Sequence, residues 1–136
     1  MRRRGFLLSL LLGIPALAET GKETVRGTLV QQKDRKPSLR TKEGKTVFLD
    51  GDEPTRGVLN DPRLAGSDFE ALGHFESPGN FRIDPIHLRA MFVYKDGKKL
   101  FITYWCEVCA IRTYTPGKCW CCQEETALDL REHDQP

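Results

Sequence analysis

The sequence predicts a small, mainly β protein. Most of the chain divides into short segments in which apolar and polar residues alternate, and turn-forming residues separate these segments. Two of the segments flank Asp96-Gly97, a dipeptide that favours a tight hairpin because both central turn positions need positive φ. Near the C-terminus, four cysteines form two CxxC pairs, a spacing typical of a metal-binding turn. Together these observations predict a compact β body that ends in a cysteine-rich turn.

The first 18 residues have the pattern of a cleavable secretory signal. Three arginines at 2–4 precede an apolar run at 6–14, and small residues follow at 16–18. We expect the mature protein to begin near Glu19, with a periplasmic or extracellular location. The apolar run is about half of the roughly 20 residues that a membrane-spanning helix needs, so we expect no membrane span after cleavage.

The signal also contains a motif that bears on its export route. The segment Arg3-Arg4-Gly5-Phe6-Leu7 resembles the core of a twin-arginine signal. That resemblance implies export of an already folded protein, often with its cofactor loaded. The leucine-rich run suits the general secretory route equally well, so both routes stay open.

Loss of the signal changes the charge balance. The full chain has 21 lysines and arginines against 19 acidic residues, and removing the three signal arginines leaves 18 against 19, a net charge of about −1. Nucleic-acid binding draws much of its strength from neutralised phosphates. A near-neutral exported domain therefore disfavours nucleic acid as a partner, and an unknown protein or small ligand is the expectation.

Five strands and one short helix are predicted over residues 24–87. A turn with negative charge at a helix start is predicted at 50–53. After it, Asp61 can cap a short helix, Pro62 can open it and Gly66 can end it. The predicted strands are 24–30, 38–41, 46–49, a segment in which Phe69, Ala71, Gly73 and Phe75 share one face, and 81–83.

This order of elements resembles an OB-fold, a small, partly open Greek-key barrel. A generic β-sandwich or meander is the alternative. A further hairpin, 88–94 with 99–105, is predicted after the barrel and leads directly into the cysteines. We therefore divide the chain into a signal peptide (1–18), an OB-like domain with its C-terminal hairpin (19–105), a four-cysteine segment (106–123) and a polar tail (124–136).

Cys106, Cys109, Cys119 and Cys122 are the predicted metal ligands. If the chain turns back near 113–117, Cys106 lies opposite Cys122 and Cys109 opposite Cys119. Zinc favours four thiolates at about 2.3 Å, and the tight turn of a CxxC brings two sulfurs to one ion. The motif resembles zinc ribbons and related knuckles, which implies a structural zinc site. It departs from them at Ala110 and Gln123, where many knuckles have glycine.

Two other interpretations of the cysteines stay open. Oxidising compartments favour disulfides, and nested bridges would leave Cys121 unpaired. Soft thiolates, Cys121 included, also suit Cu(I), so a copper-handling or thiol-redox protein is the alternative from another class. Trp105-Cys106-Glu107-Val108-Cys109 resembles the active-site motif of thioredoxin-like enzymes, but no βαβ pattern precedes it and Pro116 with Gly117 would end any following helix.

We assign no catalytic or cofactor-binding residue, and a binding or structural role is favoured over an enzyme. Neither a nucleophile elbow, a phosphate-binding loop nor an HExxH motif occurs in the sequence. His74 and His133 are expected at the surface, His87 is the first choice for any additional ligand, and Trp120 is expected to shield the metal. As a whole, the chain resembles uncharacterised exported bacterial proteins that combine an OB-like barrel with a zinc-ribbon-like motif, a resemblance that implies no activity.

Overall fold

The computed structural model of the protein describes residues 22–132. The predicted signal peptide at 1–18 lies outside the described residues, and so does His133. Within the described part of the chain, helices are too short or too polar to cross a membrane.

The first five strands form a closed barrel. The barrel order is β1-β2-β3-β5-β4, and β4 pairs back with β1 to complete the circle. All of these pairings are antiparallel except β3 with β5. The predicted OB-like fold is therefore confirmed, although the barrel is closed where a partly open one was expected. The strands are β1 (Glu23–Val30), β2 (Ser38–Arg40), β3 (Thr46–Asp50), β4 (Asp68–Ser77) and β5 (Asn80–Ile83).

Alternating side chains of the five strands fill the barrel. Burial of these apolar groups is the main source of folding stability. Closure also needs close contact between strands at Gly73, where an added Cβ would collide with the backbone carbonyl of Arg82. The interior includes Leu29, Leu39, Leu49, Phe69 and Phe81, each at most 1% exposed.

One short α-helix packs against the core. Helix α1 (Glu53–Leu59) begins after Asp52, whose side chain accepts a hydrogen bond from the backbone N–H of Thr55 at 2.9 Å. Its buried residues Val58 and Leu59 face the core. The segment after Asp61, where the sequence favoured a helix, forms only a 3-10 turn at Pro62–Leu64. Both segments have an aspartate cap followed by proline, and only the first continues long enough for α-helical hydrogen bonds.

Four further strands extend the barrel into an antiparallel sheet. They are β6 (Met91–Lys95), β7 (Lys98–Cys106), β8 (Ile111–Thr113) and β9 (Ala127–Glu132). Strand β6 pairs with β4, so this sheet is continuous with the barrel. The predicted hairpin between β6 and β7 is confirmed: Asp96 and Gly97 both have positive φ, 54° and 79°.

Within the predicted polar tail, Ala127–Glu132 forms strand β9. It pairs with β7 through six residues, from Leu100 opposite Glu132 to Trp105 opposite Ala127. Leu128 and Leu130 alternate with charged residues and pack against the core. Strands β8 and β9 therefore flank the end of β7 that carries the first cysteine.

A buried polar network joins the barrel to β7. The hydroxyl of Tyr104, which is fully buried, donates to Oδ2 of Asp61 at 2.7 Å, and Nε of Arg63 donates to Oδ1 at 3.0 Å. Arg63 also donates to the backbone carbonyl of Thr126 at 3.0 Å, just before β9. Burial opposes ionisation of Asp61, but the hydrogen bonds from Arg63 and Tyr104 outweigh it and hold the pKa of Asp61 below its usual value.

Candidate metal centre

The four cysteines of the two CxxC pairs converge on one point. The Sγ atoms of Cys106, Cys109, Cys119 and Cys122 all lie within 4.8 Å of one another. The sulfurs of Cys106 and Cys122 are 3.5 Å apart. The spacing of the pairs predicts this convergence, and the structure shows it.

The convergence is achieved by two separate turns and not by pairing across a single ribbon. Cys106 ends β7 and pairs with Ile111 of β8, so the first CxxC forms the turn between these strands. The second CxxC is closed by a bridge between Lys118 and Glu125, ahead of β9. Each turn thus presents its two sulfurs to the other turn.

The two turns have the same backbone hydrogen bonds. In the first, the N–H of Ala110 donates to the carbonyl of Cys106 at 2.8 Å; in the second, the N–H of Gln123 donates to that of Cys119 at 2.8 Å. In addition, Sγ of Cys106 accepts from the N–H of Cys109 at 3.3 Å, and Sγ of Cys119 accepts from the N–H of Cys121 at 3.4 Å. These N–H donors orient the sulfurs and stabilise negative charge on them.

Ala110 and Gln123 take the left-handed conformation that many knuckles reserve for glycine. Their φ values are 53° and 68°. For a residue with a Cβ this conformation costs roughly 1–2 kcal/mol. The missing glycines, which make the sequence depart from the knuckle pattern, therefore do not change the shape of the turns. Having residues with a Cβ at these two positions raises the conformational free energy of the turns.

Electrostatics differ among the sulfurs. The backbone N–H of Cys122, helped by that of Cys121, lowers the pKa of the Cys119 thiol to about 7 despite the opposing effect of burial. The side chain of Cys121, together with burial, raises the pKa of the Cys109 thiol. A cation among the sulfurs would favour the thiolate form at all four, since metal-bound thiols are deprotonated.

The donor set and its spacing fit a tetrahedral metal ion. An ion about 2.3 Å from four sulfurs holds those sulfurs about 3.8 Å apart, which lies between the 3.5 Å of the Cys106–Cys122 pair and the 4.8 Å limit for the group. Cys106 and Cys119 are each only 2% exposed, so half of the donor set is shielded from water. The group of four can hold a metal ion.

Other interpretations of the cysteines fit the geometry less well. All five cysteines are free thiols, so neither nested disulfide is formed. The resemblance to a thioredoxin-like motif is not supported, because strand β8 follows the first CxxC where such enzymes place a helix, and Cys106 is buried. Cys121 is exposed and is not among the four grouped thiols.

The remaining predicted residues are not part of the four-cysteine group. Among the described residues, the four-ligand group contains no histidine: His74 is exposed on β4, and His87 is exposed in a 3-10 turn at Ile86–Leu88. Trp120 does not shield the metal site, because it is 75% exposed. Sequence reasoning missed this exposure since an aromatic residue between two cysteines is equally compatible with either face of the turn.

The arrangement can bind an ion and brace two turns. The lowered pKa of the Cys119 thiol favours its thiolate form, which is the form that binds a metal ion. The other three sulfurs are already close enough to complete the coordination.

Comparison of this chain with protein-family models, with curated proteins and with solved structures finds no significant match.

Proposed function

We propose that this protein is an exported binding or structural module in which Cys106, Cys109, Cys119 and Cys122 hold a structural zinc ion. The observation that carries the proposal is the convergence of four thiols from two turns within 4.8 Å. Four thiolates in a closed set are typical of structural zinc, whereas catalytic zinc sites keep a position open for water.

The two turns have little apolar packing of their own to hold them. Val108 and Trp120, the large apolar side chains inside the two CxxC motifs, are 72% and 75% exposed. Bound zinc would therefore supply the cross-link that their side chains do not, and its binding energy would become folding energy for this end of the sheet. The first turn leaves β7 and the second leads towards β9, so the ion would brace both neighbours.

Copper handling or thiol redox chemistry is the second candidate. The observation that favours it is Cys121, an exposed fifth thiol that lies in the second CxxC next to Cys122. Soft thiolates suit Cu(I) as well as zinc. Zinc remains the first choice because the tetrahedral four-sulfur geometry is complete without Cys121.

Nucleic-acid binding gains little support from the barrel surface. An open cleft of about 710 Å³ beside β1 and β2 is lined by Arg26, Arg40 and Lys42, but Arg26 is already paired with Asp68 at 2.8 Å. The lining residues include no aromatic ring on which a base could stack. We do not propose this function.

Export belongs to the proposal and has its own test. The signal-like pattern at 1–18 predicts a mature protein of about 118 residues. Mass spectrometry of the protein from a cell-envelope or culture fraction should find a chain that starts near Glu19. A full-length chain confined to the cytoplasm would refute export and leave the metal proposal standing.

Substitution of single cysteines tests the zinc proposal. Cys109→Ser removes one of the four grouped thiols, so we expect it to lower both the zinc content and the melting temperature. Cys121→Ser is the matched control: it lies in the second turn but outside the group, so both quantities should stay close to those of the unaltered protein. Equal loss in the two variants, or full zinc occupancy in Cys109→Ser, would contradict the assignment of ligands.

Copper loading is measured on the same proteins. If the unaltered protein binds Cu(I) in place of zinc and Cys121→Ser loses that copper, the second candidate is favoured over the first. Retention of one zinc per chain by both the unaltered protein and Cys121→Ser, with no copper bound, supports the first.

A further inference from the structure

We infer that the junction between the barrel and the C-terminal sheet contains a second site, which binds a short-chain aliphatic monocarboxylate. A small cavity lies there, with room of about 20 Å³ between α1, the 3-10 turn at Ile86–Leu88, β6 and β7. Its apolar lining is formed by Val58, Ile86, Ala90, Met91, Phe101 and Ile102. Arg89 and Tyr114 complete the lining and are its polar residues.

Arg89 provides an exposed positive charge at this cavity. Its Nη2 donates to the Tyr114 hydroxyl at 3.4 Å, and its guanidinium carbon lies 5.1 Å from the centre of the Phe101 ring and 5.5 Å from that of Tyr114. The ion pairs found within residues 22–132 do not include Arg89. Its guanidinium therefore keeps N–H donors for an anion, and a carboxylate matches their planar geometry.

The backbone conformation of Arg89 determines where its side chain lies. Arg89 has φ 53°, in the left-handed region that few residues other than glycine adopt. The same conformation occurs in the turns at Asp96 and Ala110, and at Arg89 it belongs to the cap that ends the 3-10 turn. Here the strained residue ends the 3-10 turn and also lines the cavity, so the turn holds the guanidinium beside an apolar hole.

The size and polarity of the cavity define the ligand. A volume of about 20 Å³ exceeds the roughly 10–15 Å³ that one water needs, so only the end of an alkyl chain can enter. Water in an apolar hole would lack hydrogen-bond partners, which favours a methyl group there. The rest of a short chain would lie in the mouth, with its carboxylate on Arg89 and within reach of the Tyr114 hydroxyl.

Hexanoate is a suitable probe, and 1-hexanol is the matched control with the same chain and no charge. We expect hexanoate to cause saturable NMR shifts at the amides of Ala90, Met91 and Ile102. Arg89→Gly removes the guanidinium but retains a residue that adopts positive φ freely, so the fold should persist. This variant should weaken hexanoate binding by about tenfold or more, because it removes the charged hydrogen bonds. Tyr114→Phe, which removes one hydroxyl, should weaken it less.

Three results would overturn the inference. These are no saturable shift with hexanoate, equal affinity for hexanoate and 1-hexanol, or unchanged hexanoate affinity in a folded Arg89→Gly variant. The site uses no cysteine, so zinc content measured on the same samples distinguishes a failure of this inference from a failure of the zinc proposal.

Discussion

At the scale of single residues, Ala110 and Gln123 make a testable contribution to stability. Each follows a CxxC and has a φ that glycine would adopt without steric strain. Replacing Ala110 by glycine relieves the clash of its Cβ but also gives the unfolded chain more freedom. We expect the first effect to dominate, so that Ala110→Gly raises the free energy of unfolding by about 0.5–1 kcal/mol.

The matched control is Ala65→Gly. Ala65 is also exposed, but its φ of −60° is ordinary for a residue with a Cβ. Its replacement should therefore lower the free energy of unfolding in chemical denaturation. If the two substitutions shift stability in the same direction, the left-handed conformation at Ala110 is not the source of strain.

The lowered pKa of Asp61 predicts how the free energy of unfolding depends on pH. Because its pKa in the folded protein lies below the ordinary value of about 3.9, its contribution to stability is present above that value. The contribution is lost as pH falls through the lower, folded pKa. Asp61→Asn should reduce the free energy of unfolding at neutral pH by roughly 1–3 kcal/mol, because a charged acceptor for Tyr104 and Arg63 is lost.

Denaturant titrations over a range of pH check this prediction. The difference between Asp61→Asn and the unaltered protein should start to shrink below about pH 4, where Asp61 of the unfolded chain becomes protonated, and should be lost as pH falls through the lower pKa of the folded protein. Asp34→Asn, at an exposed aspartate in the loop after β1, is the control and should change the free energy of unfolding little at neutral pH. A difference that stays constant down to low pH would mean that the charge of Asp61 does not matter.

At the scale of elements, β9 holds the C-terminal sheet together. It covers one edge of β7 through six residue pairs and brings Leu128 and Leu130 onto the core. A chain that ends at Thr126 would expose both that edge and the apolar surface beneath these leucines. We expect it to lose cooperative unfolding or to aggregate, as measured by thermal unfolding and light scattering.

A chain that ends at Glu132 is the control for this truncation. It keeps every pair between β7 and β9, so it should unfold like the full mature protein. Cooperative unfolding of the shorter chain at an unchanged temperature would show that β9 contributes little.

The elements also differ in how visible they are in the sequence. The β6–β7 hairpin is predictable because Asp96-Gly97 fixes its turn locally. Strand β9 is harder to predict: Leu128 and Leu130 alternate as in a strand, but charged neighbours make the segment resemble a tail. Its pairing depends on an edge of β7 more than twenty residues earlier, and no local signal encodes that contact.

The candidate metal centre also has some features that the sequence predicts and others that it does not. The CxxC spacing predicts which sulfurs meet, since each tight turn brings two of them together. It does not predict that β8 follows directly after the first turn, because a strand of three residues has too short a pattern to recognise. Nor does it predict the exposure of Trp120, which depends on how the two turns face each other.

At the scale of the whole molecule, most of the buried core lies apart from the cysteine turns. The core runs from the barrel through β6 and β7, whereas the turns contribute only Cys106 and Cys119 to the buried set. Removal of the proposed zinc ion by a chelator should therefore loosen the turns and leave the barrel folded. Hydrogen exchange should then accelerate at Ala110 and Gln123 and stay slow at Leu29 and Phe69. Uniform loss of protection across the chain would show that folding of the barrel depends on the ion.

Mass spectrometry of the intact mature protein under native and denaturing conditions, combined with counting of thiols, tests the proposed zinc centre most directly. We predict a native mass that includes one zinc ion, and five alkylatable cysteines once the protein is denatured. A metal-free chain with four of its cysteines oxidised would contradict the zinc centre.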